Sequence, residues 1–274
     1  MNPLIFSDLD GILLDHGDYS YDAAERALER IRREQIPLIF TTSKTRLEIE
    51  RLQAAMEIRE PFIAENGAAI FFPDGYRSFK IDAGFRRAPY TVIQLGTTYS
   101  QIRRFVSSVK DRFNVKGFGD LSVEEIEHLT GLSPGQASLA KRREFTEPFL
   151  IADETKIGEL AALASSRGIK ITSAGRFFQF MGMQQDKGRA VRQCAQIFVK
   201  NTDGGVVTIG LGGKASDILL LKSVDIPILL PRFDGSYEDI DLFNLVRANQ
   251  HGSRGWNDSI MNALNSLEEW RMAK

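Results

Sequence analysis

The sequence has few of the residues that build disulfides and metal clusters. Its 274 residues include one cysteine, Cys194, and three histidines, His16, His128 and His251, which lie far apart along the chain. A single cysteine excludes an internal disulfide and any zinc site that needs several cysteines. The scattered histidines also argue against a histidine metal cluster.

An excess of one charge and long apolar runs are lacking as well. The 35 Lys and Arg residues nearly balance the 36 Asp and Glu residues, so we expect no general attraction to nucleic acid or to an anionic membrane surface. The apolar runs fall far short of the ~20 residues that cross a bilayer, and the N-terminus has no signal-peptide layout. We therefore expect a cytoplasmic protein in which any anion binding is local. The oligomeric state is not fixed by the sequence.

The two ends of the chain alternate strand and helix patterns. Apolar segments such as "PLIFSDLD" and "IPLIFTTS" predict strands. The segment from Tyr21 to Glu34 predicts a helix with one buried stripe, formed by Ala24, Ala27, Leu28 and Ile31. The same alternation resumes after "RFFQFMG". Such alternation predicts an α/β fold with a Rossmann-like parallel sheet between helices.

The middle of the chain has a different character. From about Asp82, the predicted strands and helices also suit an antiparallel α+β layer. A chain of 274 residues is long enough for two domains, at roughly 100 to 200 residues each. We predict a core formed by residues 1–82 and 180–274, with an inserted α+β domain over residues 83–179.

Charged and hydroxyl residues follow several of the predicted core strands. "FSDLDG" places Asp8 and Asp10 after the first strand, and "TTSK" follows the second. "DKGRAV" places Lys187 at a helix start, and "GLGGKASD" supplies Asp217. Open α/β sheets build their sites at the carboxyl ends of the strands, and two adjacent carboxylates are stable mainly when they share a cation or a proton. The pattern favours a reactive site over the alternative, a solvated Asp-x-Asp-Gly turn.

In their order, these motifs resemble those of the haloacid dehalogenase (HAD) superfamily of phosphohydrolases, which carry a DxD, a Thr or Ser, a Lys and an acidic GDxxND motif. The predicted insertion corresponds to the C2-type cap of that superfamily. The segments "SKTR", "PFIAENGAAIFFPDGY", "REFTEPF", "DKGRAV" and "GWND" are similar to those of mannosyl-3-phosphoglycerate phosphatases. This resemblance covers nearly the whole chain. It implies conversion of mannosyl-3-phosphoglycerate to phosphate and mannosylglycerate, a compatible solute.

The resemblance also implies a role for each motif residue. Asp8 would attack phosphorus and form an aspartyl-phosphate, which splits one difficult hydrolysis into two displacements. Asp10 would act as general acid and then as general base. Thr42 would hold the phosphoryl group through its hydroxyl, with Ser43 as the second choice. Lys187 would offset negative charge on the phosphoryl oxygens and on Asp8.

A magnesium ion is implied by the same resemblance. Mg²⁺ prefers an octahedral shell of oxygen atoms and is often held by only one or two carboxylates plus phosphate. Its ligands would be Asp8, the backbone carbonyl of Asp10, and Asp217. The ion would polarise the phosphoryl group and draw the two anions together.

Two positions depart from the family pattern. Gly213 occupies the position of the usual metal-binding acid, and Ile12 stands where a Thr commonly follows the DxDG. The stretch also fails as a nucleotide P-loop, because the glycine and the final Ser or Thr of that pattern are missing. We interpret it as an altered metal loop: either Asp217 and waters complete a weaker site, which the intact motifs favour, or much activity is lost. Lys214 is an alternative cation for the vacated position, although a solvated side chain is the simpler prediction.

Candidate substrate-binding residues come from the segments that carry the resemblance. Glu65 and Asn66 are predicted to bind sugar hydroxyls, with an ordinary Asn-Gly turn as the alternative. Lys44 or Arg46 suits the glycerate carboxylate or the phosphate. An arginine fork suits a carboxylate, although exposed helix charges need no function. The full predicted set is Ser43, Lys44, Arg46, Glu65, Asn66, Arg143 and Glu147, of which the last two rest on the motif match alone.

Other functions remain open at this level. A glucosyl group in place of mannosyl is one alternative, and another C2-capped sugar-phosphate phosphatase or a phosphomannomutase relative is a second. A mutase would need a bisphosphorylated sugar to return the phosphoryl group. The third alternative is a catalytically impaired protein that binds a phosphorylated ligand, for which Gly213 is the main support.

Overall fold

Two sheets and their flanking helices make up the protein. The computed structural model describes residues 1–272. The strands in this range are β1 (Asn2–Ser7), β2 (Leu38–Thr41), β3 (Phe62–Ala64), β4 (Ala69–Pro73), β5 (Phe85–Arg87), β6 (Tyr90–Gln94), β7 (Val115–Gly117), β8 (Glu147–Ile151), β9 (Ile169–Ala174), β10 (Phe177–Gly182), β11 (Val206–Gly212), β12 (Ile226–Leu229) and β13 (Val246–Arg247). The α-helices are α1 (Glu25–Arg33), α2 (Arg46–Ala55), α3 (Tyr99–Phe113), α4 (Val123–Thr130), α5 (Pro134–Lys141), α6 (Ile157–Ser165), α7 (Lys187–Asn201), α8 (Ile218–Leu221) and α9 (Gly252–Met272). Short 3-10 turns span Asp22–Ala24, Tyr76–Ser78, Glu154–Lys156 and Ala215–Asp217. None of the helices within residues 1–272 is long and apolar enough to cross a bilayer.

The larger sheet has nine strands in the order β13, β12, β11, β1, β2, β3, β4, β6 and β5. Neighbours from β13 to β3 run parallel, whereas β4, β6 and β5 are added antiparallel at one edge. Strand β1 therefore lies inside the sheet, between β11 and β2. This arrangement confirms the predicted α/β, Rossmann-like fold class.

Both faces of the larger sheet are buried. In β1, Ile5 belongs to an apolar cluster that includes residues of α1, α2 and α9, while Leu4 and Phe6 belong to a second cluster with α7 and α8. Successive side chains of a strand point to opposite faces, so this division puts helices on both sides. The apolar stripe predicted for the first helix is buried as expected.

A smaller antiparallel sheet, in the order β7, β8, β10 and β9, is formed by the chain between β6 and α7. Helices α3 and α6 pack on it through an apolar cluster that includes Phe149 and Phe180. Helices α4 and α5 form a further small cluster around Ile126. Strands and helices thus combine here as the α+β insertion that the sequence predicts.

The limits of the insertion differ from the predicted range 83–179. Strands β5 and β6 pair with β4 in the larger sheet, whereas β10 continues the smaller sheet as far as Gly182. By sheet membership, the insertion therefore begins after Gln94 and ends at Gly182. The apolar alternation of a strand reveals which face is buried but not which sheet the strand joins.

Glu65, in the turn after β3, fastens the insertion to the larger sheet. Its buried carboxylate accepts hydrogen bonds from the backbone amides of residues 144 and 145 (2.7 and 3.2 Å) and from the hydroxyl of Thr146 (2.6 Å). The same carboxylate lies 3.3 Å from Nε of the buried Arg143. We call this group of contacts the Glu65 latch. The carboxylate of Glu65 is thus a buried charge whose partners in this group all come from residues 143–146 of the insertion.

Removing the carboxylate of the latch should destabilise the fold. In Glu65→Ala the buried Arg143 loses its counter-charge and three further donors lose their acceptor. We expect the free energy of unfolding, measured by chemical denaturation, to fall by about 3–5 kcal/mol. Glu159→Ala is the matched control, because Glu159 pairs with Arg112 at the exposed surface, and it should cost less than about 1 kcal/mol. Equal losses in the two variants would contradict the latch.

Gly67 brings the turn after Glu65 directly against the residue that precedes Lys187. Its φ is +85°, and a Cβ at this position would overlap the backbone carbonyl of Asp186. Gly75 also has a positive φ, +71°, but a Cβ there would meet nothing within 4 Å. The two glycines therefore separate backbone strain from steric overlap.

Gly67→Ala should cost more stability than Gly75→Ala. We expect a loss of about 1 kcal/mol for Gly75→Ala from the left-handed backbone alone, and a loss of about 3 kcal/mol for Gly67→Ala from strain plus overlap. Chemical denaturation of both variants measures the difference. If both variants lost the same amount, the close approach of the Gly67 turn to Asp186 would be refuted.

Candidate active site

The backbone of Asp8 is fixed at the carboxyl end of β1. Its amide donates to the carbonyl of Leu211 on β11 (3.0 Å). Its carbonyl accepts from the hydroxyl of Ser7 (2.6 Å), and that hydroxyl accepts from the buried indole N–H of Trp256 on α9 (2.9 Å). Strand pairing and α9 together thus set the position from which the Asp8 carboxylate projects.

Lys187 lies between two buried carboxylates. Its Nζ is 3.0 Å from Oδ1 of Asp8 and 2.6 Å from Oδ1 of Asp217, and its side chain is only 1% exposed. The lysine is the first residue of α7, and Asp186 caps this helix by accepting from the amide of Arg189 (2.7 Å). The site therefore contains a linear group of charges, carboxylate, ammonium and carboxylate, which we call the Lys187 triad.

The charges of the triad control how its members ionise. Burial acts to lower the pKa of Lys187, but the carboxylates of Asp217 and Asp8 outweigh this effect and raise the pKa above the ordinary lysine value. Burial acts to raise the pKa of Asp8, but Lys187, Lys214 and hydrogen bonds outweigh it and hold the pKa below the ordinary aspartate value. Asp8 is therefore an ionised carboxylate, as a nucleophile must be.

Asp217 is held by hydrogen bonds within the protein. Its Oδ1 accepts from Lys187, and its Oδ2 accepts from the amides of Gly213 (3.0 Å) and Lys214 (3.1 Å). Both oxygens are thus engaged within the protein. Asp217 holds the loop after β11 in shape and fixes Lys187, while its role as a metal ligand stays a prediction.

The two departures from the family motif lie close enough that a side chain at one would crowd the other. A Cβ on Gly213 would lie 2.8 Å from Cδ1 of Ile12 and 3.0 Å from the carbonyl oxygen of Leu230. Both distances are shorter than ordinary van der Waals contacts. The isoleucine therefore fills the space that an acidic side chain at position 213 would need to pass through.

Lys214 follows this glycine and directs its side chain to Asp8. Its Nζ lies 3.9 Å from Oδ2 of Asp8, on the other side of the carboxylate from Lys187, and the lysine side chain is 50% exposed. The carboxylate of Asp8 thus has a buried ammonium at one oxygen and a half-exposed ammonium near the other.

The donor set for a divalent metal is smaller than predicted. No group of three or more His, Cys, Asp or Glu side chains within residues 1–272 is arranged to hold a metal ion. The Asp8 carboxylate and the backbone carbonyl of Asp10 remain as donors. Magnesium fits such a pair only when water and a substrate phosphate complete its shell, which is a common arrangement for this ion.

Lys44 accompanies the second aspartate of the motif. Its Nζ lies 2.8 Å from Oδ1 of Asp10, 3.9 Å from Glu48 and 5.1 Å from the centre of the Tyr19 ring. Burial acts to lower the pKa of Lys44, but Asp10 and Glu48 outweigh it and raise the pKa. A permanent cation therefore stands next to Asp10.

The other predicted residues from the turns after β2 and β3 lie near the junction with the insertion. Thr42 is buried at the end of β2, and the carbonyl of Ser43 accepts from Arg143 (2.8 Å). Arg46 pairs with Glu50 and Glu144, each at 2.7 Å. Their roles in binding a phosphoryl group or a substrate stay predictions.

Asn66 reaches across to the insertion. Its Nδ2 donates to Oε1 of Gln179 (2.8 Å). Its Oδ1 is buried and accepts no hydrogen bond from any residue in the range 1–272. A buried acceptor of this kind is costly unless a ligand or water satisfies it. Asn66 is therefore the member of the "AENG" turn that is placed to bind a donor group.

Three predicted substrate-binding residues are occupied by internal contacts instead. Glu65 and Arg143 form the latch. Glu147 is fully buried in the insertion, where it accepts from the hydroxyl of Tyr99 (2.7 Å) and from Arg103 (2.6 Å). These contacts give all three residues a role in packing, and their roles in binding a substrate stay predictions.

A cavity beside Asp10 could not be inferred from the sequence. It has a volume of about 540 Å³ and borders Asp10 and Lys214. Four aromatic side chains contribute to its wall: His16, Tyr19, Phe233 and His251. Phe233 is 71% exposed and contacts both histidine rings, with centroid distances of 6.2 and 5.2 Å. Phe233 belongs to the segment "RFDGSYEDID", which has the composition of an ordinary solvated loop. Only the aromatic residue at its start could have indicated a binding surface.

Comparisons with known proteins identify the family of the chain. A family model for haloacid dehalogenase-like hydrolases matches residues 5–231. A protein of Persephonella marina named glucosyl-3-phosphoglycerate/mannosyl-3-phosphoglycerate phosphatase is 49% identical over 265 residues, which are 97% of this chain and 98% of the relative. A protein of the same name from Methanococcoides burtonii is 41% identical, over 96% of this chain and 98% of the relative. The resemblance to the haloacid dehalogenase superfamily and the closer resemblance to mannosyl-3-phosphoglycerate phosphatases are thereby confirmed.

The fold recurs in solved structures. The sucrose-phosphatase of Synechocystis, solved with sucrose and phosphate, covers 96% of this chain with a TM-score of 0.61, and 98% of its own chain is matched. Its sequence identity is 16%, so this likeness concerns the fold alone. The family model, the two relatives and the shared architecture together assign the chain to the haloacid dehalogenase-like hydrolase family.

Proposed function

We propose that this protein is a phosphomonoester hydrolase that removes the phosphate from a glycosyl-3-phosphoglycerate, with mannosyl-3-phosphoglycerate as the substrate first to be tested. The observation that carries the proposal is the Asp8 carboxylate at the end of β1, which lies 3.0 Å from Nζ of the buried Lys187 and two residues before Asp10. Asp10 in turn borders a cavity. A fixed carboxylate between two ammonium groups is suited to attack a phosphate anion, because the cations reduce the repulsion between the two.

The reaction proceeds in two displacements. An oxygen of Asp8 attacks phosphorus and forms an aspartyl-phosphate, while the ester bond breaks and Asp10 gives its proton to the departing glycerate oxygen. Asp10 then takes a proton from water, the water oxygen attacks phosphorus, and inorganic phosphate leaves as Asp8 is regenerated. Lys187 supports both steps by lying 3.0 Å from Asp8, where it offsets the charge that builds up.

Family members generally use a divalent metal ion, and magnesium is the ion that we propose here. When bound to Asp8, to the Asp10 carbonyl and to the substrate phosphate, it would polarise the phosphoryl group. Asp217 remains a positioning residue for Lys187 in this scheme, because both of its oxygens are engaged by hydrogen bonds.

The cavity beside Asp10 supports a glycosylated substrate. Its volume of about 540 Å³ suits a sugar joined to a three-carbon acid, and its aromatic wall offers faces on which a sugar ring packs. Lys44 supplies a cation next to Asp10, where the carboxylate of the glycerate moiety would be attracted. The unsatisfied Oδ1 of Asn66 is available for a hydroxyl donor. The two relatives are named for both the glucosyl and the mannosyl compound, so both sugars belong in the first test.

A ligand-binding protein without turnover is the second candidate. The observation in its favour is Gly213, which supplies no acid to the metal loop. This candidate predicts binding of the phosphorylated glycoside without release of phosphate.

The primary test is release of inorganic phosphate from mannosyl-3-phosphoglycerate and from glucosyl-3-phosphoglycerate, with magnesium present. We expect release from at least one of them, and we expect Asp8→Asn to lower the rate by at least about 10³-fold, because the nucleophile is removed. Asp18→Asn is the control, since Asp18 is an exposed residue whose carboxylate accepts from the amide of Ser20 in the same loop.

The outcomes of this test separate the candidates. Release that survives Asp8→Asn would come from a contaminating phosphatase and would contradict the proposal. A rate that depends on an added hexose bisphosphate would indicate a mutase instead. Binding of either compound without any release would favour the ligand-binding protein.

A further inference from the structure

The loop after β11 has lost an acid and carries a cation. In the family motif the first acid of GDxxND binds the metal, whereas this chain has Gly213 followed by Lys214. The backbone of Lys214 is fixed, because its amide donates to Oδ2 of Asp217 (3.1 Å). Its ammonium extends to within 3.9 Å of Oδ2 of Asp8. The cation therefore lies at the carboxylate oxygen that is not paired with Lys187.

The change at position 213 is built into the packing. A Cβ on Gly213 would lie 2.8 Å from Cδ1 of Ile12 and 3.0 Å from the Leu230 carbonyl oxygen, so an acid at this position would require the end of the Ile12 side chain to move. Ile12 is itself the second departure from the family motif. Both altered positions border the cavity beside Asp10, and Lys214, which borders it too, is the second cation near Asp8 after Lys187.

Replacing an aspartate and its metal ion by a glycine and a lysine leaves the net charge next to Asp8 unchanged. An aspartate together with a divalent cation contributes one net positive charge next to Asp8, and a glycine followed by a charged lysine also contributes one. The two carboxylates and one ammonium of the Lys187 triad add up to one negative charge when all three are ionised, and the ammonium of Lys214 balances that charge before a phosphate group arrives. A site with neither metal nor Lys214 would repel the anionic substrate.

We propose that the ammonium of Lys214 supplies at Asp8 the positive charge that a bound divalent metal supplies in relatives, so that phosphate release continues when metal is removed. This inference rests on the proposed phosphatase function. It also implies that Lys214 and a divalent ion compete for the same oxygen of Asp8. Magnesium, the ion proposed above, can still bind at this oxygen, but it binds more weakly than it would without Lys214 and adds little to a rate that Lys214 already supports.

The first experiment compares phosphate release from the glycosyl-3-phosphoglycerate in excess chelator and in excess magnesium. We expect the unmodified protein to keep most of its activity in chelator. Lys214→Met removes the charge at similar size and should lose about 100-fold in chelator, the loss typical for one group that stabilises transition-state charge, with partial recovery in magnesium. Lys214→Arg keeps the charge and should keep chelator-resistant activity. Lys222→Met, at an exposed lysine beyond α8, should behave as the unmodified protein.

The second experiment needs no turnover. Binding of Mn²⁺ is followed by electron paramagnetic resonance, and binding of inorganic phosphate in chelator is followed by calorimetry. Lys214→Met should bind Mn²⁺ at least about tenfold more tightly, because a cation about 4 Å from Asp8 no longer repels the ion. The same variant should bind phosphate more weakly. Lys222→Met should change neither affinity.

The outcomes distinguish this inference from the proposed function. If chelator abolished the activity of the unmodified protein and Lys214→Met left Mn²⁺ affinity unchanged, the role of Lys214 would be overturned while the phosphatase function stood. If no substrate released phosphate but Lys214→Met still weakened phosphate binding and tightened Mn²⁺ binding, the function would fail and the exchange of metal for lysine would stand. Unchanged affinities for both ions in Lys214→Met would overturn the inference whatever the activity.

Discussion

The active site depends on the buried ammonium of Lys187 and its two carboxylate partners. A single unpaired charge in such a position is costly, whereas a lysine shared by two aspartates satisfies all three groups. Each partner has its own support, since strand pairing and Trp256 fix Asp8 and the amides of the loop after β11 fix Asp217. The triad thus joins the ends of β1 and β11 to the start of α7, and it sets the direction from which a phosphate can approach.

The same interaction explains how the loop after β11 can depart from the GDxxND motif of the family. Because Asp217 is committed to Lys187 and to two backbone amides, it holds the loop in place without help from a metal ion. Loss of the acid at position 213 therefore leaves the loop intact. The change affects the surroundings of Asp8, because Lys214 lies near the carboxylate oxygen that is not paired with Lys187.

Much of the fold and the centre of the site could be predicted from the sequence. Strand and helix patterns gave the parallel sheet, and its geometry requires residues that follow neighbouring strands, such as Asp8 and Asp217, to meet at one edge. The predicted start of the insertion differs from the one that sheet membership gives, because the sequence of the strand "YTVIQ" does not indicate which strand it pairs with. Glu65 and Glu147 were assigned to a ligand, but their partners come from distant segments and could not be inferred. The aromatic cavity could not be predicted either, because its wall combines residues from distant parts of the sequence, such as His16 and His251.

The central claim is that Asp8 is the group that becomes phosphorylated. The most direct measurement is mass spectrometry of acid-quenched protein after brief mixing with mannosyl-3-phosphoglycerate, with Asp8→Asn as the control that cannot form the aspartyl-phosphate. The account predicts one added phosphoryl group on the peptide that contains Asp8. Phosphate release without any phosphorylated Asp8, or a phosphoryl group on another residue, would contradict it.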